Sequence, residues 1–367
     1  MSLITAIATA NPANRFGQHE IEAFMLKAMA FQNGESRKLR AIFKASGIDY
    51  RYSVLADYGR TGNFEFYSEN LEEAFPSTRE RLGIFRNHAL PLSVQACTKL
   101  FLSAPHIDRA QITHLIVVCC TGMYAPGLDI ELVTALKLPT TTDRTAINFM
   151  GCYAAFNALK IADAICTSNV NAKVLVVCTE LCSLHFQREA TDDNLLANAL
   201  FGDGCAALLV ENQSESRLQL RLSGFHNDLA TAGNTDMAWT VGDLGFEMKL
   251  SAYVPDVIRK GIGRLTGALL QKLQQKIADI AHFAIHPGGK KILQVIEDEL
   301  GIGSEKNEPA YYVLKNYGNM SSPTVLFVIA RLVEELRGKK EYGEDILSFA
   351  FGPGLTMESM ILKIEKV

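Results

Sequence analysis

Phe149-Met150-Gly151-Cys152-Tyr153-Ala154-Ala155 opens into Phe156-Asn157-Ala158-Leu159-Lys160-Ile161-Ala162, an alanine-rich run with helical character. A cysteine at the first turn of a buried helix faces unpaired backbone N–H groups and the positive end of the helix dipole. Both favour thiolate over thiol, so Cys152 is the candidate nucleophile. The glycine before it and the helix after it set it apart from the other seven cysteines, Cys97, Cys119, Cys120, Cys166, Cys178, Cys182 and Cys205. Most of those lie in apolar runs and read as small buried hydrophobes in a reducing cytoplasm. There is no C-x-x-C and no Cys/His ligand spacing, which argues against a metal site.

Around this turn, short continuous apolar runs alternate with longer helical patterns, the pattern of buried strands in an α/β fold. Strands are expected at 1–8, 113–120, 174–178, 206–210, 283–286 and 361–364. Helices are expected at 21–32, 91–102, 152–164, 254–274, 290–300 and 323–337. Ser321 or Ser322 suits the cap of the last helix, with Pro323 at its first position.

The order of features repeats. The strand around Val117 is followed about 35 residues later by Met150-Gly151-Cys152 and a helix; the strand around Ala284 is followed at a similar distance by Gly318-Asn319-Met320 and a helix. Each half then carries a Phe-Gly-x-Gly turn before a strand, Phe201-Gly202-Asp203-Gly204 and Phe351-Gly352-Pro353-Gly354. This implies two related α/β halves packed face to face, residues 1–212 and 213–367. Their paired loops place Cys152 opposite Asn319, with His286 beside them.

His286 ends a strand and precedes Pro287-Gly288-Gly289, a turn that suits a site residue. It can accept the Cys152 proton or pair with the thiolate. Asn319 offers an amide donor to a thioester carbonyl or an enolate oxygen. Taken singly, a satisfied core histidine and a helix-entry asparagine are the blander readings; the three together point to acyl transfer from a thioester. Asn in place of a carboxylate keeps negative charge out of the pocket, which then tolerates a malonyl carboxylate. A cysteine protease shares the residue types but not this strand-turn-helix placement.

The 367 residues are 48% apolar with a formal charge of −4, which gives no basic surplus for nucleic acid. No uninterrupted apolar stretch reaches the about 18 residues of a membrane span. The N-terminus lacks the basic region and apolar core of a signal peptide.

From Thr9-Ala10-Asn11-Pro12 through Met150-Gly151-Cys152, Phe201-Gly202-Asp203-Gly204, His286-Pro287-Gly288-Gly289 and Tyr317-Gly318-Asn319-Met320-Ser321-Ser322 to Phe351-Gly352-Pro353-Gly354-Leu355-Thr356, the chain resembles the type III polyketide synthases, the chalcone synthase superfamily. The resemblance implies a thiolase-like fold in α/β/α/β/α layers, a homodimer, and no metal or organic cofactor. It implies that Cys152 carries the growing chain as a thioester, while His286 and Asn319 promote decarboxylation of malonyl-CoA. Phe201 and Phe246 match the two gate phenylalanines. Cys120, Thr121, Cys182, His185, Ala197 and Ser321 match cavity positions, and Ala125 matches a residue reaching into the partner's cavity. Lys44, Arg51 and Lys291 are candidates to meet CoA.

Ala125 and Cys182 replace bulkier or more polar residues of plant members. An apolar wall favours methylene groups by about 0.8 kcal/mol each. Medium- or long-chain fatty acyl-CoA starters giving alkylpyrones or alkylresorcinols are therefore expected, although His185 narrows one side. The alternatives are a chalcone- or stilbene-like synthase with an aromatic or short starter, and a ketoacyl synthase III-like enzyme. The latter's histidine typically stands in His-Gln-Ala-Asn, which this chain lacks. A third is a catalytically silent scaffold of the same fold.

Overall fold

The computed structural model describes residues 2–366 apart from 32, 71, 234, 235, 338, 340 and 341. Met1, where the first strand was expected to begin, and Gln32, where the first helix was expected to end, lie outside these; the elements are Leu3–Ala10 and Gln18–Ala28.

Nine strands form one mixed sheet in the order His282–Ile285, Asp345–Gly352, Thr356–Lys366, Gln219–Leu229, Leu3–Ala10, Asp203–Glu211, Lys173–Leu181, His114–Cys119, Asp143–Asn148. The first four belong to the second half and the last five to the first. The two groups join through a short antiparallel pairing, Leu3 with Arg221 and Ile4 with Leu220. In each half the strand that leads to a site residue pairs in parallel: His114–Cys119 with Lys173–Leu181, and His282–Ile285 with Asp345–Gly352.

Two helices fill the space between the sheet groups. Ala154–Ser168 packs on its own strands and on Thr356–Lys366 of the other half. Thr324–Leu336 packs on His282–Ile285 and reaches Leu3–Ala10 and Asp203–Glu211. Ala154, Ala155, Ala158 and Ala162 are fully buried in the first of these, and their small side chains let both sheet groups come close. Thr78–Ser103 covers the outer face of the first half and Val254–Lys272 that of the second. The result is the expected five-layer, thiolase-like α/β architecture. Lys160 on the central helix donates to both carboxylate oxygens of buried Glu358 at 2.7 and 2.6 Å, pinning one half to the other.

Two local expectations change. The helix expected at 91–102 begins at Thr78, capped by Ser77 with Glu80 closing a capping box, and Pro91 lies inside it. Its early turns look polar because Arg81 is buried there, donating to the carbonyls of Leu184 and Phe186 at 2.7 and 2.8 Å. At the last helix neither serine side chain is the cap. Ser322 donates instead to the buried Glu180 carboxylate, and the Thr324 hydroxyl accepts the Met320 N–H at 2.8 Å.

Candidate active site

Cys152 stands in a single 3₁₀ turn, Gly151–Tyr153, that runs into the central helix. Gly151 has φ +80°, and a Cβ there would lie 2.4 Å from Cδ of Pro353. Only glycine fits both conditions. Its N–H donates to Cys120 Sγ at 3.0 Å, which ties the nucleophile turn to the end of the neighbouring strand. The Cys152 thiol is buried and donates to Asn319 Oδ1 at 3.9 Å. Burial pushes it up to about 12, against a downward pull from Ser321 and Asn319. Burial thus opposes the thiolate that the helix start favours, and a neighbouring base that takes the proton would offset it.

His286 continues its strand by one more hydrogen bond, from its N–H to Phe349 O at 2.8 Å. The side chain is fully enclosed, and neither ring nitrogen has a partner among the described residues. Burial lowers the imidazole to about 3, so it is neutral and keeps a lone pair for a proton.

Asn319 is fixed from both sides. Its backbone bridges Phe201 of the other half: the Asn319 N–H donates to Leu200 O and the Gly202 N–H to Asn319 O, each at 2.9 Å. Its Oδ1 accepts the Ser321 N–H at 2.8 Å, which turns Nδ2 the other way, 3.4 Å from Gly288 O.

The repeat seen in the sequence is realised as an exchange. The Phe351-Gly352-Pro353-Gly354 turn of the second half abuts Gly151-Cys152-Tyr153 of the first: a Cβ on Gly352 would lie 2.5 Å from the Tyr153 ring. Phe201-Gly202-Asp203-Gly204 of the first half abuts the Asn319 turn of the second, where a Cβ on Gly204 would lie 2.4 Å from Met320 Sδ.

Cys152, His286 and Asn319 meet in a cavity whose wall also includes Cys120, Thr121, Cys182, Phe201 and Ser321. Among the described residues no carboxylate lines it. One layer behind, Glu180 accepts from the Cys120 N–H at 2.9 Å, from Thr121 Oγ1 at 2.8 Å and from Ser322 Oγ at 2.5 Å. Burial raises its pKa. A second chamber shares Cys182, Phe201, Trp239 and Met248 and adds His185 and Ala197.

Phe246 is buried behind the wall, its ring stacked on His185 at 4.3 Å. Ala125 is exposed and lines neither chamber. Lys44 and Lys291 are exposed on adjoining segments, where Gly47 abuts the Lys290 side chain. Arg51 corrects its sequence assignment to CoA. It is 2% exposed, and its guanidinium donates to Gln18 Oε1 at 2.9 Å and to the carbonyls of Asn198 and Phe201 at 2.8 and 2.6 Å. Burial lowers it to about 10. It holds the Phe201 turn and meets no solvent phosphate.

Models of the chalcone and stilbene synthases match nearly the whole chain, the N-terminal domain over residues 1–214 and the C-terminal domain over residues 226–365. The chain belongs to the chalcone and stilbene synthase family. It is 30% identical to the alpha-pyrone synthesis polyketide synthase-like Pks18 of Mycobacterium tuberculosis, over 99% of this chain and 91% of that protein. Its fold matches crystal structures of PKS-I from the brown alga Ectocarpus siliculosus (TM-score 0.91, 28% identity, 99% and 98% of the two chains) and of the C-terminal type III domain of Steely1 from Dictyostelium (TM-score 0.88, 29% identity, 99% of both). The synthase is thus an acyltransferase of the type III polyketide kind, a family that condenses acyl-CoA and malonyl-CoA with loss of carbon dioxide.

Two residues of the synthase's site escaped the sequence reading. Glu180 had a signal, a lone charge inside the apolar strand Lys173–Leu181. Trp239, the one tryptophan, lines both chambers and had only its rarity to mark it. Among the described residues no His/Cys/Asp/Glu group is placed to hold a metal, and no helix is long and apolar enough to cross a membrane.

Proposed function

We propose that the synthase loads a medium- or long-chain fatty acyl group from CoA onto Cys152 and extends it with malonyl-CoA to an alkylpyrone or alkylresorcinol. The convergence of Cys152, His286 and Asn319 in a cavity without carboxylates carries this reading. Cys152 Sγ attacks the acyl carbonyl, His286 takes the thiol proton, and the C–S bond to CoA breaks; His286 returns the proton to the departing CoA thiolate. When malonyl-CoA follows, its carboxylate leaves as carbon dioxide and the electron pair moves onto the thioester oxygen. His286 N–H and Asn319 Nδ2 donate to that enolate. The enolate carbon attacks the acyl-Cys152 carbonyl, the bond to Sγ breaks, and the lengthened chain stands on CoA. Every group needed is a side chain or a substrate atom, so no cofactor is invoked.

The apolar lining by Met237, Met248, Leu250, Ile292 and Phe351 supports an alkyl starter, and the alpha-pyrone synthesis named for the mycobacterial relative supports a pyrone product. The ring cluster of His185, Trp239 and Phe246 favours the second reading, a chalcone- or stilbene-like synthase with an aromatic or short starter. We assign CoA phosphates to exposed Lys44 and Lys291. A homodimer is favoured by the open edge strand Asp143–Asn148 and by exposed Met123 and Ile130 near Ala125, which would reach the partner there. Eight unpaired cysteines suit the cytoplasm.

Incubation with malonyl-CoA and starters of rising length, read by mass spectrometry, tests the proposal. Alkylpyrones from C12 and longer starters are expected. A preference for aromatic or short starters sinks the lipid reading, and Cys152→Ala must abolish the acyl adduct.

A further inference from the structure

The roof of the cavity is a hairpin, Met237–Gly242 paired with Gly245–Leu250, and ring side chains tie it to the site. Trp239 Nε1 donates to Cys120 O at 2.7 Å. His185 Nε2 reaches the next carbonyl, Thr121 O, also at 2.7 Å, while its Nδ1 accepts the Phe246 N–H at 2.9 Å. Those bonds fix the neutral Nε2–H tautomer and leave neither imidazole nitrogen for a ligand. The Trp239 ring stands edge-on to both His185 and Phe246, at 5.6 and 5.9 Å. Trp239 is thereby anchored to the turn whose Cys120 holds Gly151, next to the nucleophile.

The same ring borders both chambers. On one side lie Cys152, His286 and Asn319; on the other lie Tyr58, Phe186, Gln187, Asn194 and Ala197. The amide nitrogens on the far side are spent on the surrounding loops: Gln187 Nε2 on Leu244 O and Phe246 O, Asn194 Nδ2 on Glu189 O, Asn198 Nδ2 on Gln187 O. Beside these amides, Tyr58, Phe186, Ala197, Met248 and Trp239 give the far chamber an apolar wall for a hydrocarbon end.

Building on the acyl-CoA reading, we infer that Trp239 is a specificity-determining partition. Its indole is the largest of the side chains that both chambers share, the others being Cys182, Phe201 and Met248. It narrows the passage from the catalytic chamber to a distal chamber that takes the far end of an acyl chain within the same protomer, and so biases the chain length accepted. Ala125 lines neither chamber and does not limit this route.

The test compares wild type, Trp239→Ala, Trp239→Leu, Trp239→Phe and Ala125→Met across saturated acyl-CoA starters of rising length, with malonyl-CoA. Thermal melting confirms that each is folded. Trp239→Ala and Trp239→Leu are expected to raise kcat/KM for long over short starters by about tenfold or more, and Trp239→Phe, which keeps a ring, to stay within about threefold of wild type. A length profile that does not move in the folded Trp239→Leu variant overturns the partition. So does one that shortens in Ala125→Met while staying fixed in Trp239→Ala, which assigns the route across a dimer instead. Acyl loading on Cys152, read as a mass adduct, separates this from the condensation. An enzyme that loads but never extends counts against the synthase reading, and the loading profile alone then decides the partition.

Discussion

At the scale of single residues, the side chain of Asn319 is oriented by its own backbone neighbour. The Ser321 N–H and the Cys152 thiol both meet Oδ1, which fixes the flip of the amide and leaves Nδ2, 3.4 Å from Gly288 O, as its donor. Replacing Asn319 by Asp puts a second acceptor and a charge where the donor stood. Decarboxylation of malonyl-CoA should fall by about 10²–10³-fold, while acyl loading on Cys152 persists; equal loss of both in a burst assay would contradict a role confined to the enolate. Gly151 is the second sensitive point. An alanine there combines a positive φ with a clash against Pro353, so Gly151→Ala should lose more than about 1 kcal/mol of stability by urea titration and most of its loading rate. Cys152, His286 and Asn319, the proposed catalytic three, could be picked out because glycine and proline turns frame each of them, and the fold brings them to one cavity. Arg51 was misassigned and Glu180 went unread for one reason: a charged side chain reads as exposed until the fold shows the partners that let it be buried.

At the scale of elements, buried Arg51 links the first short strands to the Phe201 turn and thence to Asn319. Arg51→Met strands the Asn198 and Phe201 carbonyls without a donor. It should cost about 3–5 kcal/mol in the unfolding midpoint, with no selective rise in KM for acyl-CoA; such a rise at unchanged stability would restore the CoA role. Central strands and the two middle helices were legible from continuous apolar runs, since both of their faces are buried. The helix Thr78–Ser103 was half missed because buried Arg81 breaks its apolar stripe. The roof hairpin went unread because its outer face alternates with solvent and its stability comes from side chains of distant segments, Gln187, His185 and Thr78.

At the scale of the whole molecule, His185 and His286 are both held neutral, lowered to about 3 by burial. In the unfolded chain they titrate near 6.5. The unfolded state therefore binds more protons below that pH, and stability present above 6.5 is lost as the pH falls toward 3. The slope is about 1.4 kcal/mol per pH unit for each histidine. Buried Asp203, raised to about 6, works the other way over part of this window. The test is therefore the difference in urea unfolding between pH 6.5 and 5: His286→Asn should lower the slope by about 1.4 kcal/mol per pH unit, and an unchanged slope would mean that the imidazole is already charged in the fold. The duplicated plan was legible from the order of motifs, yet not the partners that the copies chose. Each copy's Phe-Gly-x-Gly turn now forms the back wall of the other copy's reactive group. Neither copy keeps a working pocket of its own. Cut the chain between 212 and 218, and activity should return only when both fragments are mixed. A change at Gly352 will register as a fault in a cysteine two hundred positions earlier, because each half is the other's scaffold.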